Sequence, residues 1–152
     1  MSTLDPQTVK PRSGTSYPAR YAGDVAGREK RVLGDTFGLT QFGVNLTTLA
    51  PGSLSAQRHW HEREDEFVLV VEGELTLIDD AGEHVLKTGM CAGFKAGVPN
   101  GHCLVNKSQA PATYVEIGTR SSEEVAHYPD IDMLATKADG KFVMTKKDGT
   151  PF

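Results

Sequence analysis

Residues 66–89, EFVLVVEGELTLIDDAGEHVLKTG, constrain the fold of this chain more than any other stretch. They contain three short runs of strand-forming residues, at 66–71, 74–79 and 83–87, and each run ends at a Gly or at an Asp-Ala-Gly turn signal. Runs of this length are typical of β-strands and too short for core helices. The stretch therefore predicts three consecutive strands, and the continuous apolar run at 66–71 predicts a strand that is covered on both faces.

The same pattern continues on both sides of this stretch. Many short strands separated by Gly-rich turns predict an all-β sandwich or barrel. Helix signals are few, and the best covers 121–127, where Ser121 and Glu124 have the spacing of a capping box. The further predicted strands are 44–50, 91–94, 102–106 and 113–119, with one more candidate in the tail at 141–152.

The chain has 152 residues, which fits one domain with its own core. We expect an irregular, proline-containing N-terminal arm over 1–28 and a barrel over 29–120. A C-terminal extension over 121–152 would carry the short helix and one strand. Because a small barrel has few places for a further strand, we expect the tail strand to pair across the interface of a homodimer.

Composition excludes several classes of partner. The net charge is -4, and no Lys/Arg run is longer than Lys146-Lys147, which argues against a nucleic-acid partner. No apolar stretch approaches the roughly 18 residues that a membrane span needs. The first residues lack the order of a signal peptide, so a cytoplasmic location is predicted. Cys91 and Cys103 fit a reducing compartment, and two small buried thiols are favoured over a disulfide.

Titratable residues crowd the segment before the strand at 66–71. His59 and His61 are two residues apart, so on an extended chain both rings leave the same face, about 7 Å apart. Glu66 begins a buried strand, where a carboxylate is costly unless it is paired or bound to a metal. His102 also begins a predicted strand, after a Pro-Asn-Gly turn. A metal site at one end of the barrel explains this pattern, and so does a solvated, charged face.

A family resemblance bears on that choice. The stretch PGSLSAQRHWHEREDEFVLVVEG resembles the first motif of the cupin superfamily, and GMCAGFKAGVPNGHCLVN resembles the second. The first motif corresponds to Gly52, His59, His61, Glu66 and Gly73, and the second to Gly89, Phe94, Gly97, His102 and Asn106. Two spacings are longer than the commonest form, from Gly52 to His59 and from Gly97 to His102. Lys95 stands where the motif usually has proline.

The resemblance implies a cupin jelly-roll β-barrel, also called a double-stranded β-helix. It further implies that His59, His61, Glu66 and His102 bind one divalent transition metal inside the barrel. A donor set with three imidazoles and one carboxylate fits Zn, Fe, Mn or Ni better than Mg or Ca. The ion would keep a coordination position open for a small-molecule ligand in the barrel.

Three functions are compatible with these features. Small single-domain cupins of this pattern resemble the phosphomannose-isomerase-like group, which implies a metal-dependent sugar-phosphate isomerase, although the sequence shows no phosphate cradle. A non-haem dioxygenase is the second hypothesis, and an apolar pocket would favour it. A non-catalytic small-molecule-binding protein is the third. The candidate pocket residues are Val68, Val70, Phe94 and Leu104, and the candidate substrate-binding residues are Arg58 and Lys95, for which solvated or paired roles are the alternative.

Overall fold

The computed structural model describes residues 2–152 and is dominated by antiparallel strands. Short helical segments lie at Pro6–Thr8, Ala19–Ala22, Gly23–Val25 and Leu33–Thr36. The strands, in chain order, are β1 (Arg28–Val32), β2 (Phe42–Leu49), β3 (Trp60–His61), β4 (Glu66–Glu72), β5 (Glu74–Asp79), β6 (Gly82–Lys87), β7 (Cys91–Phe94), β8 (Cys103–Val105), β9 (Ala112–Thr119), β10 (Val125–Tyr128), β11 (Met133–Ala138) and β12 (Lys141–Thr145). The all-β prediction is confirmed.

Two walls of strands face each other. The first wall has the order β1-β2-β9-β4-β7. The second consists of β6-β5-β8 and β12-β11-β10-β3, which are joined by an isolated bridge in which the backbones of His59 and His102 exchange both hydrogen bonds. The main core between the walls is formed by buried side chains of both, namely Leu49, Val68, Val70, Leu75, Leu77, Leu86, Leu104, Ala112 and Tyr114.

Strand prediction was accurate where alternation and turn signals coincide. β5 and β7 have the predicted bounds, and β2, β4, β6, β8 and β9 differ from them by one or two residues at an end. The turn between β4 and β5 requires Gly73, because its φ is +78° and an added Cβ would lie 3.0 Å from the Cβ of Ala112.

The helix predicted at 121–127 is wrong. This segment contains β10, which pairs with β11 on one side and with β3 on the other. Its Ser121 and Glu124 do not form a capping box, because Glu124 is buried and accepts backbone N–H groups of Glu62 and Arg63. Pairing with β3 therefore outweighs the local capping signal.

The tail strand finds its partner within the chain, because β12 pairs with β11 along its whole length. No second copy is needed to pair it, so the homodimer stays a prediction without this support. Both ends of the chain pack on the barrel in a second buried cluster, which Tyr17 and Tyr21 of the arm join. The predicted boundaries of the arm, barrel and extension stay predictions.

Two smaller expectations concern the thiols and the membrane. Cys91 and Cys103 are both free, as predicted, although Cys91 is exposed and only Cys103 is buried. Among residues 2–152, no helix is long and apolar enough to cross a membrane.

Candidate metal centre

The two walls bring the four predicted ligands to one place. His59 and His102 face each other in the bridge that joins the two parts of the second wall. His61 lies in β3, and Glu66 is the first residue of β4 in the opposite wall. The strand beginnings identified in the sequence therefore meet inside one cavity, which all four side chains line.

The distances suit a shared ion. Oε2 of Glu66 lies 2.8 Å from Nε2 of His102, 3.5 Å from Nε2 of His61 and 3.7 Å from Nε2 of His59. Ligand atoms about 2.1 Å from one ion are about 3.0–3.4 Å apart at octahedral or tetrahedral angles. Ligating atoms of His59, His61 and Glu66 lie within 4.8 Å of one another, whereas His102 falls outside this group although its Nε2 is the nitrogen nearest to Oε2 of Glu66. This chain therefore has a His/Glu cluster that is able to hold a metal ion.

Backbone carbonyls fix the orientation of two imidazoles. Nδ1 of His59 lies 2.8 Å from the carbonyl oxygen of Gln57, and Nδ1 of His102 lies 3.1 Å from that of Asn100. Because a carbonyl only accepts, each Nδ1 carries a proton, and Nε2 is the nitrogen that faces the centre. Nε2 of His102 is also hydrogen-bonded to Oε2 of Glu66 at 2.8 Å, a contact that a metal ion bound between the two atoms would replace.

Burial and charge favour the ligating protonation states. Burial lowers the pKa of His59 from its ordinary value to about 4. Burial alone would raise the pKa of Glu66, but the hydrogen bond with His102 and the charges of His59 and His61 hold this pKa at about 2. At neutral pH His59 is therefore a neutral imidazole and Glu66 an ionised carboxylate, the forms that bind metals.

A buried carboxylate supports the segment that carries His61. Glu124 is 1% exposed, and its Oε1 accepts the backbone N–H of Glu62 at 2.8 Å while its Oε2 accepts that of Arg63 at 3.0 Å. Its Oε1 also lies 3.6 Å from Nδ1 of His61, a buried nitrogen that has no hydrogen-bond partner among the described residues. No local signal in the sequence predicts this contact, because the spacing of Ser121 and Glu124 favours a capping box instead.

Glu64 and Glu124 do not compete with the first group of ligands for the ion. Ligand atoms of His61, Glu64 and Glu124 also lie within 4.8 Å of one another. However, Glu64 accepts from the ammonium group of Lys137 and from the backbone N–H of Ser121. The carboxylates of this second group are thus already bound by protein donors, so the first group is the better metal site.

The ligand atoms open into a cavity of about 240 Å³. This volume is below the roughly 300–1,000 Å³ of pockets for drug-sized ligands, so a compact molecule fits. Side chains of the arm and of the C-terminal strands close the cavity, including Tyr17 and Tyr128. Three of the four predicted apolar residues line it, namely Val68, Phe94 and Leu104, whereas Val70 is buried in the core.

Two cationic residues that the sequence did not reveal also line the cavity. Arg28 and Lys30 are two residues apart on β1, so their side chains lie on the same face of the strand, and both point inward. Lys30 forms an ion pair with Glu116. Arg28 donates to the carbonyl oxygens of Ser55 and Gly14, and within residues 2–152 it has no carboxylate at ion-pair distance. The Arg28 guanidinium therefore lies beside the cavity without an ion-pair partner.

The two predicted substrate-binding residues lie elsewhere. Arg58 donates to both carboxylate oxygens of Asp130 and to the carbonyl oxygen of Gly101, and it also pairs with Asp80. Lys95 is exposed. Neither is among the side chains that line the cavity. The role that the structure gives Arg58 is to tie the segments next to His59 and His102 together.

Comparison with known proteins agrees with this architecture. A family profile described as "Cupin domain" matches residues 45–118. A crystal structure from Silicibacter pomeroyi DSS-3, described as a sugar phosphate isomerase from a cupin superfamily, is 48% identical with a TM-score of 0.95, and the match covers 99% of this chain and 96% of that chain. The chain belongs to the cupin superfamily. The predicted jelly-roll fold is therefore confirmed.

More distant cupin-like structures extend the comparison. A protein of Acidithiobacillus ferrooxidans, described as a candidate sugar phosphate isomerase, is 26% identical with a TM-score of 0.74, over 82% of this chain and 80% of that chain. The polyketide cyclase RemF of Streptomyces resistomycificus is 20% identical with a TM-score of 0.65, over 78% of this chain and 79% of that chain, which shows the fold alone. No curated protein sequence matches this cupin.

Proposed function

We propose that this cupin is a metal-dependent isomerase that interconverts an aldose phosphate and a ketose phosphate. The observation that carries the proposal is the position of Arg28, whose guanidinium has no ion-pair partner and lies in the cavity that also contains the His/Glu cluster. A half-buried cation without an anionic partner is costly, and an anionic ligand removes that cost. Arginine is also well suited to bidentate binding of phosphate.

In this proposal His59, His61, Glu66 and His102 hold one divalent ion, which is Zn, Fe, Mn or Ni. A bound ion of this kind supplies Lewis-acid polarisation of a carbonyl oxygen and the neighbouring hydroxyl. Arg28 binds the phosphate, and the wall formed by Val68, Phe94 and Leu104 packs against the carbon chain and excludes water. The small cavity favours a compact, single sugar unit.

The comparisons support the same class of substrate. The Silicibacter pomeroyi protein, 48% identical over nearly the whole chain, is described as a sugar phosphate isomerase. Identity of this degree supports a shared class of activity, although the family as a whole hosts many reactions on one fold.

The apolar wall is the one observation that favours a dioxygenase instead. Val68, Phe94 and Leu104 line the cavity as that hypothesis predicts. A non-haem dioxygenase acting on an apolar substrate, however, gives no role to the cations on β1. The isomerase is therefore the better supported of the two.

The test uses the full-length protein with the metal content in which it is isolated. Metal analysis is followed by NMR assays with glucose 6-phosphate, mannose 6-phosphate and ribose 5-phosphate, and with their ketose partners. We expect interconversion of at least one pair, its loss after chelation, and its return with one of the four metals. Oxygen consumption with no interconversion would favour the dioxygenase. Ligand-induced thermal stabilisation without turnover of any kind would favour a binding protein.

A further inference from the structure

Glu116 lies next to the candidate metal centre on the first wall. In the pairing of β4 with β9, Glu66 is opposite Gly118 and Val68 is opposite Glu116. Glu66 and Glu116 are therefore diagonal neighbours on the inward face, about 7–8 Å apart at the backbone. Both side chains line the cavity. A carboxylate at this position is within reach of a compact ligand that also contacts the ion.

Three donors hold the carboxylate of Glu116 in place. Nδ2 of Asn45 donates to its Oε1 at 2.8 Å, and the hydroxyl of Tyr114 donates to its Oε2 at 3.2 Å. Lys30 forms an ion pair with Oε1. Tyr114 is 1% exposed, so its hydroxyl has a fixed position at the wall of the cavity. The orientation of Glu116 is therefore set by groups from three neighbouring strands.

Other groups in the cavity are poorly placed to accept a proton from carbon. Among the described residues that line the cavity, Glu66 and Glu116 are the two carboxylates, and Glu66 is assigned to the ion. The three histidines would use their Nε2 atoms to hold the same ion. Burial raises the pKa of the Cys103 thiol to about 11 and also raises the pKa of Tyr17 and Tyr128, so at neutral pH these groups keep their protons. Glu116 remains as the base.

We propose that Glu116 is the catalytic residue that carries the proton between the two carbons of the substrate, an inference that rests on the isomerase function proposed above. In the aldose-to-ketose direction, an oxygen of Glu116 removes the proton from C2. The C2–H electron pair forms the C1–C2 double bond, the carbonyl π pair moves to O1, and O1 takes the proton of the O2 hydroxyl, which gives an enediolate with its charge on O2. Glu116 then returns its proton to C1 while the electron pair on O2 forms the C2 carbonyl. No oxidant or reductant is consumed.

Lys30 and Tyr114 are positioning residues in this scheme. An ion pair that served packing alone would be replaceable by apolar residues at little cost. The Lys30–Glu116 ion pair lies instead in the wall of a ligand cavity, next to the candidate metal centre, and this position supports a role in catalysis.

The test compares Glu116→Gln and Glu116→Asp with the wild-type protein, all loaded with the activating metal. We expect Glu116→Gln to lower kcat about 100- to 10,000-fold, with KM changed little. Exchange of the C2 proton in D₂O should fall in the same proportion, while metal content and Tm stay near those of the wild type. Glu116→Asp, which keeps the charge but withdraws the oxygens by one methylene, should retain a small part of the rate.

The matched control is Glu83→Gln, because Glu83 is an exposed carboxylate that also forms an ion pair with a lysine. It should leave kcat, exchange and metal content unchanged. If the wild type is active and Glu116→Gln keeps full C2 exchange, the role of Glu116 is overturned and the isomerase function still stands. If the Gln variant does not fold, an unchanged kcat in Glu116→Asp leads to the same conclusion. A wild type that interconverts no sugar phosphate overturns the isomerase itself, and the role of Glu116 with it.

Discussion

Oε1 of Glu124 lies 3.6 Å from Nδ1 of His61. The same oxygen accepts the backbone N–H of Glu62, which lies 62 residues earlier in the chain. The carboxylate is fully buried and accepts the backbone N–H groups of Glu62 and Arg63, the two residues that follow β3. The C-terminal segment therefore orients a candidate ligand. A site of this kind depends on residues outside the 45–118 range that the family profile matches.

Glu124→Ala is expected to weaken both the fold and the metal site. It removes the acceptor of the Arg63 and Val125 backbone N–H groups, whereas the Glu62 N–H keeps the carbonyl oxygen of Val125, so the free energy of unfolding should fall by about 1–3 kcal/mol. Loss of support for a ligating histidine typically lowers metal affinity about 10- to 100-fold. Chemical denaturation and metal titration measure the two effects. Glu123→Ala is the control, because its side chain is 76% exposed, and equal effects of the two variants would contradict the role of Glu124.

The four candidate ligands should act as one set. His59→Ala, His61→Ala, Glu66→Ala and His102→Ala are each expected to lower metal content sharply, because each removes one donor from a shared ion. Metal analysis of the purified variants measures this. Glu72→Ala, in the same strand as Glu66 but exposed, should keep the wild-type content. Full metal content in Glu66→Ala would show that the carboxylate ligand was assigned wrongly.

The limits of sequence reasoning differ between strands and site. β4 to β7 follow from alternation and turn residues, which are local signals. The sequence did not predict β1, β3, β10 and β11, because these short or charged segments lack a clear apolar alternation and pairing with other strands decides their structure. The candidate ligands were found through motif spacing.

Long-range contacts account for the residues that were missed. Arg28 and Lys30 face the cavity because of the register between β1 and β2, in which Arg28 lies opposite Leu49 and Lys30 opposite Thr47. Glu116 likewise faces inward through its pairing with Val68. Such registers join residues that are far apart in the chain. Alternating charged residues on a short segment are as typical of a solvated strand face as of a face that lines a cavity.

The metal-free protein should lose stability as the pH falls from about 6.5 to about 4. Burial lowers the pKa of His59 to about 4, so below its ordinary value the unfolded chain binds a proton that the folded protein does not. The expected loss is about 3 kcal/mol at pH 4. The lowered pKa of Glu66 adds a loss in the same direction below about pH 4.5.

Thermal unfolding of the chelated protein between pH 7 and pH 4 measures this dependence. His59→Gln should flatten the part between pH 6.5 and pH 4. His84→Gln should not, because the His84 side chain is 46% exposed on the surface. An equal slope in wild type and His59→Gln would mean that His59 is not the group responsible.

Removal of the guanidinium of Arg28 should weaken phosphate binding more than it lowers turnover. Arg28→Gln keeps a donor for the carbonyl oxygen of Ser55 but loses the charge beside the cavity. We expect KM for the active sugar phosphate to rise about tenfold or more, with a smaller change in kcat, because Arg28 contacts only the non-reacting phosphate and binds the ground state and the transition state about equally. Inorganic phosphate should raise the Tm of the wild type and fail to do so for the variant.

Arg63→Gln removes a 56% exposed guanidinium that pairs with Glu123, and it should behave as the wild type in both measurements. If Arg28→Gln leaves KM and phosphate stabilisation unchanged, the anion is bound elsewhere.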